Sequence, residues 1–346
     1  MSDNGVAMLN FDEPRYLRIQ EGAVAQAGPL HATLRERFAA GANRLVFAGS
    51  GGAGILMQPA VELLQRSSRF PVFGVLPAEL VVTGSAQVDA NTVVVIPSLS
   101  GTTKESIAAL EFARAQGAFV ITLTGHADSP LATSADATFT NFAEDDTSCE
   151  SFYLQSLAIA LSVRELTGEL PDGERERVMA ELRLLPAALL AAKSSFENRA
   201  PALAATIAAN PWHIITGAGA SWPEAYYYGM CILEEMQWIR TRPVHASDFF
   251  HGTLELVEAG VSVLVLAGEG PTRALTERVR SFVPTVGGEV TVLDTAEVEL
   301  AGVSAATREL VVPVIHAALL ERVSAHLEVL RDHPLTTRRY YRRIDY

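Results

Sequence analysis

Four hydroxyls and a glycine crowd into one short stretch. Pro97-Ser98-Leu99-Ser100-Gly101-Thr102-Thr103-Lys104-Glu105 follows the apolar run at residues 93–96. Where a strand ends and a helix begins, free backbone N–H groups and the positive end of the helix dipole gather, and together they bind anions. Ser98, Ser100 and Thr103 supply hydroxyl donors for a phosphate, and Gly101 lets the backbone approach it closely. Helix capping accounts for one such hydroxyl; it does not account for four. Upstream, Gly49-Ser50-Gly51-Gly52-Ala53-Gly54 follows another apolar run, placing Ser50 and Gly51 in a similar turn. Its glycines are also spaced as in a dinucleotide fingerprint. That reading needs an acidic residue about 20 positions on, and residues 66–75 contain none. NAD binding is disfavoured.

A second set of reactive groups lies far downstream. Tyr226-Tyr227-Tyr228-Gly229-Met230-Cys231-Ile232-Leu233-Glu234-Glu235-Met236-Gln237-Trp238 reads as an apolar, aromatic helix bearing two carboxylates. Burial there would desolvate a carboxylate and suit it to general acid/base work near neutral pH. His251 follows, 16 positions after Glu235, in His251-Gly252-Thr253-Leu254. On composition alone Glu235 reads as a solvated helix residue and His251 as a buried core histidine. His245, Asp248 and His251 also offer metal-ligand types, but their i, i+3, i+6 spacing spreads them over a wide helical arc. No metal is expected.

These groups need a scaffold, and the apolar pattern supplies one. Short continuous apolar runs at 45–48, 72–75, 92–96 and 119–123 alternate with helical stretches, the pattern of a parallel sheet covered on both faces. A helix over 22–40 precedes them. Residues 148–210 read as mainly helical, with a break at 168–173. At Trp212 the alternation restarts, with strands expected at 214–216, 261–266, 289–293 and 310–312 and a helix from the glycine turn to about Arg240. Phe47-Ala48-Gly49-Ser50-Gly51 and Ile215-Thr216-Gly217-Ala218-Gly219 share one logic of strand, glycine turn and helix. The reading is a tandem α/β protein: two doubly wound parallel-sheet domains, each an αβα sandwich, with linking helices. Its parts are a helical lead-in at 1–43, a first domain at 44–168, linking helices at 169–210, a second domain at 211–331 and a tail at 332–346. In the second copy the matching turn, Ala267-Gly268-Glu269-Gly270-Pro271, has lost its hydroxyls and gained a carboxylate. One phosphate site per chain, in the first copy, is expected.

Composition narrows the chemistry further. The 346 residues carry a formal charge of -13 with 49% hydrophobic residues, which excludes disorder and argues against nucleic acid or an anionic membrane as partner. Lys104 and Lys193 are the only lysines, so a Schiff base through a protein lysine is improbable. Two cysteines make neither a disulfide framework nor a cysteine zinc site. With no signal-peptide pattern and no apolar run of membrane length, a cytoplasmic location is expected.

The run Ser98-Leu99-Ser100-Gly101-Thr102-Thr103-Lys104-Glu105 resembles the signature of the sugar isomerase (SIS) domain, and Gly49-Ser50-Gly51 resembles that family's first phosphate-side loop. The tandem arrangement is similar to its two-domain phosphosugar enzymes. The resemblance covers nearly the whole chain and implies that Ser50, Gly51, Ser98, Ser100, Gly101 and Thr103 hold a sugar phosphate. Leu233-Glu234-Glu235 and His251-Gly252-Thr253-Leu254 resemble the isomerase part of glucosamine-6-phosphate synthase. By that likeness Glu235 moves a proton between adjacent sugar carbons, while His251 assists ring opening in a neighbouring subunit's site, so that a homodimer or higher homo-oligomer is implied.

The ending His333-Pro334-Leu335-Thr336-Thr337-Arg338-Arg339-Tyr340 is similar to that of the family's fructoselysine-6-phosphate deglycases. Arg339 stands near the place where the synthases put a lysine, and Arg339 with Tyr340 is a candidate contact for the substrate's amine portion. The function implied is a ketosamine 6-phosphate deglycase needing no metal or redox cofactor. Synthase activity is not expected, since no glutaminase segment precedes the first strand. An amino-sugar phosphate deaminase or other aldose–ketose isomerase is the alternative. A non-catalytic sugar-phosphate sensor is a further class, but its basic helix-turn-helix is missing from the first 43 residues.

Overall fold

In the computed structural model, which describes residues 7–143, 148–341 and 343–345, the chain divides into two compact units. One holds residues 14–186; the other holds residues 7–13 together with 187–345. The helical lead-in therefore belongs to the first unit, while the described start of the chain belongs to the second.

The first unit is built on β1 (Arg44–Ala48), β2 (Val72–Val75), β3 (Thr92–Pro97), β4 (Phe119–Thr124) and β5 (Ala137–Thr140), paired in the order β2-β1-β3-β4-β5. The second is built on β6 (Trp212–Gly217), β7 (Arg240–His245), β8 (Ser262–Ala267) and β9 (Glu289–Asp294), in the order β7-β6-β8-β9. Every pairing is parallel. Parallel neighbours require a crossover, here mostly helical, which is why short apolar runs alternate with helices along the sequence. β3 and β8 are buried at every residue, as continuous apolar strands with both faces covered must be. The two orders are the same for four strands, so the repeat seen in the glycine turns is a repeat of topology. In both copies the strand order reverses beside the first strand, at β1/β3 and at β6/β8. Such a switch point opens a crevice at the carboxyl edge of the sheet.

The first glycine turn is held by contact rather than by flexibility. A Cβ on Gly49 would collide with the backbone of Gly54 and press on Pro97. The turns after β1 and β3 therefore abut.

Several expected elements are redrawn. The stretch 22–40 is two helices, Glu13–Ala25 and Ala27–Ala39, meeting at Gln26. Residues 310–312 are not a strand: they lie inside the helix Ala305–Leu330. Their β-branched run invites a strand assignment, but nearly all faces of this helix are buried, and burial overrides local propensity. That helix is long and apolar enough to cross a membrane by length and composition, yet 83% of its apolar window is buried inside the structure. The helix expected to reach Arg240 ends at Met236, and Arg240 instead opens β7. The helical stretch 148–210 resolves into Ser148–Leu166, Glu174–Leu182, Leu185–Phe196 and Ala200–Ala209, with the break where glycines predict it.

Gly49→Ala is expected to destabilise the fold by about 1–3 kcal/mol through overpacking against immovable backbone. Gly28→Ala, where an added Cβ meets nothing within 4 Å, should be neutral or stabilise by up to about 1 kcal/mol. Urea unfolding of the two variants checks the contrast.

Candidate active site

At the switch point of the first sheet, the hydroxyl-rich loop is shaped by its own side chains. Ser98 Oγ accepts from the Gly101 N–H at 3.2 Å and lies 3.2 Å from Thr103 Oγ1. Ser100 Oγ accepts from the Thr102 N–H at 3.3 Å and from Thr102 Oγ1 at 3.0 Å. Gly101 has φ +62°, and a Cβ there would run into the side chain of Ser129. Its carbonyl accepts from the Leu131 N–H at 3.1 Å, which ties the loop to the helix Pro130–Ser134. Ser98, Ser100, Gly101 and Thr103 are thus gathered in one turn, with the Ser50-Gly51 turn alongside.

The capping explanation fails on geometry. Thr103 occupies the N-cap of the helix Lys104–Ala115 and Ser50 that of Gly51–Ile55, and neither side chain makes a capping hydrogen bond. Both hydroxyls stand at helix starts with the first-turn amides unclaimed by them. The arrangement suits a tetrahedral anion.

The second copy answers the same need internally. Gly219 has φ +54°, matching +53° at Gly51, so the turn is conserved in shape between the copies. Glu269 precedes the positive-φ Gly270 as Ser100 precedes Gly101. Its carboxylate is held in a two-pronged pair by Arg308, at 2.7 and 3.0 Å. The sequence suggests that Glu269 would repel a phosphate; in the structure its charge is also matched by an arginine of the same unit.

Glu235 sits on a widened helix. Trp222–Tyr227 is α-helical and continues as a π-helix over Tyr228–Met236, a rare geometry that is frequent at functional sites. Glu234 is tied to the start of β7, accepting from Thr241 Oγ1 at 2.6 Å and from its N–H at 3.3 Å. Glu235 is not enclosed by apolar groups as its sequence neighbours suggest. Its side chain is 35% exposed, and Oε1 lies 2.9 Å from Nε of Arg338, whose side chain is 12% exposed. One turn back, burial pushes the Cys231 thiol up, and the charges of Glu235, Glu224 and Glu234 add to this.

His251 is exposed, just beyond the helix Ala246–Phe249, so the buried-core alternative falls away. Glu235 precedes β7 and His251 follows it. Six residues at about 3.3 Å each put roughly 20 Å between the two edges of the sheet. The two residues thus flank β7 on its opposite ends. His245, the other histidine of that loop, accepts from the Ser247 N–H at 3.2 Å and meets Trp222 edge-on, while burial lowers its pKa. Among the described residues no group of three His, Cys, Asp or Glu gathers as a metal site.

The tail lies on the end of the Glu235 helix. Arg339 stacks over Trp238 at 4.0 Å, and Tyr340 is 60% exposed. The arginine that reaches the candidate acid/base is therefore Arg338, which the sequence analysis passes over for its neighbour; only the opposite charges of Glu235 and the tail hint at it. Lys193 is fully buried and paired with Glu321 at 3.0 Å, so it is closed to covalent chemistry.

A profile of the SIS domain matches residues 40–164. Over this segment the chain is similar to SIS domains. That match spans the first sheet and both turns of the cradle, as the likeness of Ser98–Glu105 to the SIS signature implies. The fructosamine deglycase of Bacillus subtilis (strain 168) is 27% identical to this protein over 306 residues, 88% of this chain and 93% of its own. The fructoselysine 6-phosphate deglycase of Escherichia coli (strain K12) is 29% identical over 312 residues, 90% of this chain and 89% of its own. A candidate phosphosugar isomerase from Salmonella typhimurium LT2, solved by crystallography, superposes with a TM-score of 0.84 at 26% identity, covering 95% of this chain and 97% of its own.

Replacing Ser98 by Ala and Thr103 by Val together should weaken binding of inorganic phosphate by about tenfold or more, since hydrogen bonds to a charged group are worth about 1.5–3 kcal/mol each. Isothermal titration of wild type and double variant checks it.

Proposed function

We propose that this protein is a ketosamine 6-phosphate deglycase, which converts a 1-amino-1-deoxyfructose 6-phosphate into glucose 6-phosphate and the free amine. The observation that carries the reading is the similarity to two deglycases along about nine-tenths of the chain, across both sheets rather than across the cradle alone. The hydroxyl cradle, with Ser50 and Thr103 free of capping duty, supplies the phosphate recognition that such a substrate requires.

Ring opening comes first, and an exposed His251 suits that proton transfer. Glu235 then takes a proton from C1, and the electrons of that bond form a C1–C2 double bond as C2 oxygen is protonated, giving an enolamine. Return of a proton to C2 leaves an imine between C1 and nitrogen. Water adds to the imine carbon, and the C–N bond breaks to release the amine and the aldose phosphate. Carbon oxidation levels are exchanged internally between C1 and C2, so proton transfer and electrostatic placement suffice.

The separation of Glu235 and His251 across the sheet supports a shared site in which a second copy of the chain contributes His251. A homodimer or higher oligomer follows from this reading. It also supplies a test that a single-chain site would fail.

Glucose 6-phosphate release from fructoselysine 6-phosphate, followed with a coupled dehydrogenase, should fall about 100- to 10,000-fold in Glu235→Gln, the range for losing one general acid/base. His251→Ala should be similarly impaired. Unfolding, mixing and refolding the two inactive variants in equal amounts should restore about a quarter of wild-type activity if sites are shared in a two-fold dimer. No recovery in a confirmed mixed dimer would place both residues in one chain's site. Turnover of glucosamine 6-phosphate with ammonia release, and none of the ketosamine, would point to a deaminase instead.

A further inference from the structure

Arg338 is fixed in place by an unusual amount of the tail. Arg331 donates to the Gln237 carbonyl at 3.2 Å, and the Gln237 side chain donates to the His333 carbonyl at 2.7 Å. The His333 ring meets Trp238 edge-on at 4.5 Å, Arg339 stacks on the same indole, and the Leu335 N–H donates to Glu328 at 3.0 Å. Trp238 itself adopts φ +55°, a conformation rare for a bulky residue and held here by these neighbours. Within this frame, Arg338 Nη1 donates to the carbonyls of Leu335 at 2.6 Å and Thr337 at 3.0 Å, and Nε points at Glu235. One end of the guanidinium is thus anchored in its own loop and the other occupies a carboxylate oxygen.

A carboxylate paired with a guanidinium is a weaker base than an unpaired one, because the pair stabilises the charged form over the protonated one. We propose that Arg338 is a specificity-determining residue: it guards Glu235 in the free protein and transfers to the carboxylate of an α-linked amino-acid substituent when the substrate binds. This rests on the deglycase reading, in which Glu235 works at C1. In a ketosamine made from an α-amino group, the carboxylate hangs on the atom next to the nitrogen that C1 carries. A guanidinium 2.9 Å from Glu235 is placed to exchange one carboxylate for the other, and its fork geometry matches either. Uncharged amine portions leave Arg338 on Glu235 and so react slowly. The substrate class selected is the α-amino-acid ketosamine 6-phosphates, in preference to those of neutral amines.

The test compares fructosylglycine 6-phosphate with its glycinamide analogue, which differ in the carboxylate alone. Wild type should prefer the carboxylate by about tenfold to a hundredfold in kcat/KM, the span expected of one charge-assisted hydrogen bond. Arg338→Met should bring that ratio to within about threefold of one, and Arg338→Lys should retain part of the preference. Arg338→Gln, which removes the charge and shortens the side chain but keeps an amide donor, gives the same reading should Arg338→Met fail to fold. Equal turnover of both compounds by wild type, or a full preference surviving in folded Arg338→Met and Arg338→Gln, overturns the role of Arg338 and leaves the deglycase reading standing. No turnover of either compound by wild type overturns both.

Discussion

Parallel pairing is the constraint from which the rest follows. Both sheets are parallel throughout, so every strand must be reached again by a crossover from the far edge. Strands then all finish at one edge, and returning helices all start there. The cradle of Ser98, Ser100, Gly101 and Thr103 exists because β3 ends and a helix begins at the switch point beside β1. The same constraint separates Glu235 from His251: one closes the helix that returns to the start of β7, and the other opens the segment after its end. Their places on opposite ends of β7 are a direct consequence of strand direction.

The two copies show how one backbone plan is turned to different ends by a few side chains. Both keep the positive-φ glycine after the first strand, and both place a glycine of the same kind in the second turn. Where the first copy has Ser100, the second has Glu269, bound by Arg308 of its own long helix. The hydroxyls of the first copy's turn are thus replaced in the second by a carboxylate paired within its own unit. The SIS match to residues 40–164 falls on the copy with the hydroxyls.

Much of this was legible in the residues. Fully buried parallel strands are continuous apolar runs, so β1, β3, β4 and β8 stand out. The cradle stands out because four hydroxyls exceed what capping needs. Failures occurred where long-range packing decides. Residues 310–312 look like a strand because β-branched propensity is local, whereas the burial that makes them helical comes from distant residues. Residues 22–40 read as one helix because nothing in the pattern marks the junction at Gln26. β5 and β7 escaped notice as well: β7, with two arginines and a proline, has none of the apolar continuity of a central strand. Arg338 was passed over since neighbouring arginines in a tail are indistinguishable until backbone geometry chooses between them.

That choice is made by the second unit, which also receives the beginning of the chain. Glu197 accepts from the Leu9 N–H at 2.9 Å, and the fully buried Arg322 donates to the Leu9 carbonyl at 2.7 Å. Lys193, Glu321 and Arg322 form a buried ionic group beside Phe11. Burying such charges costs desolvation that pairing offsets only when the geometry is well satisfied, so the group contributes little net stability while tolerating few alternative arrangements. The unit that carries Glu269 is therefore the one that holds Leu9, by hydrogen bonds with Glu197 and Arg322, and the tail, by the stacking of Arg339 and His333 on Trp238. Its π-helix carries Glu235 between those fastenings, and the position of the carboxylate is set by the tail as much as by the sheet.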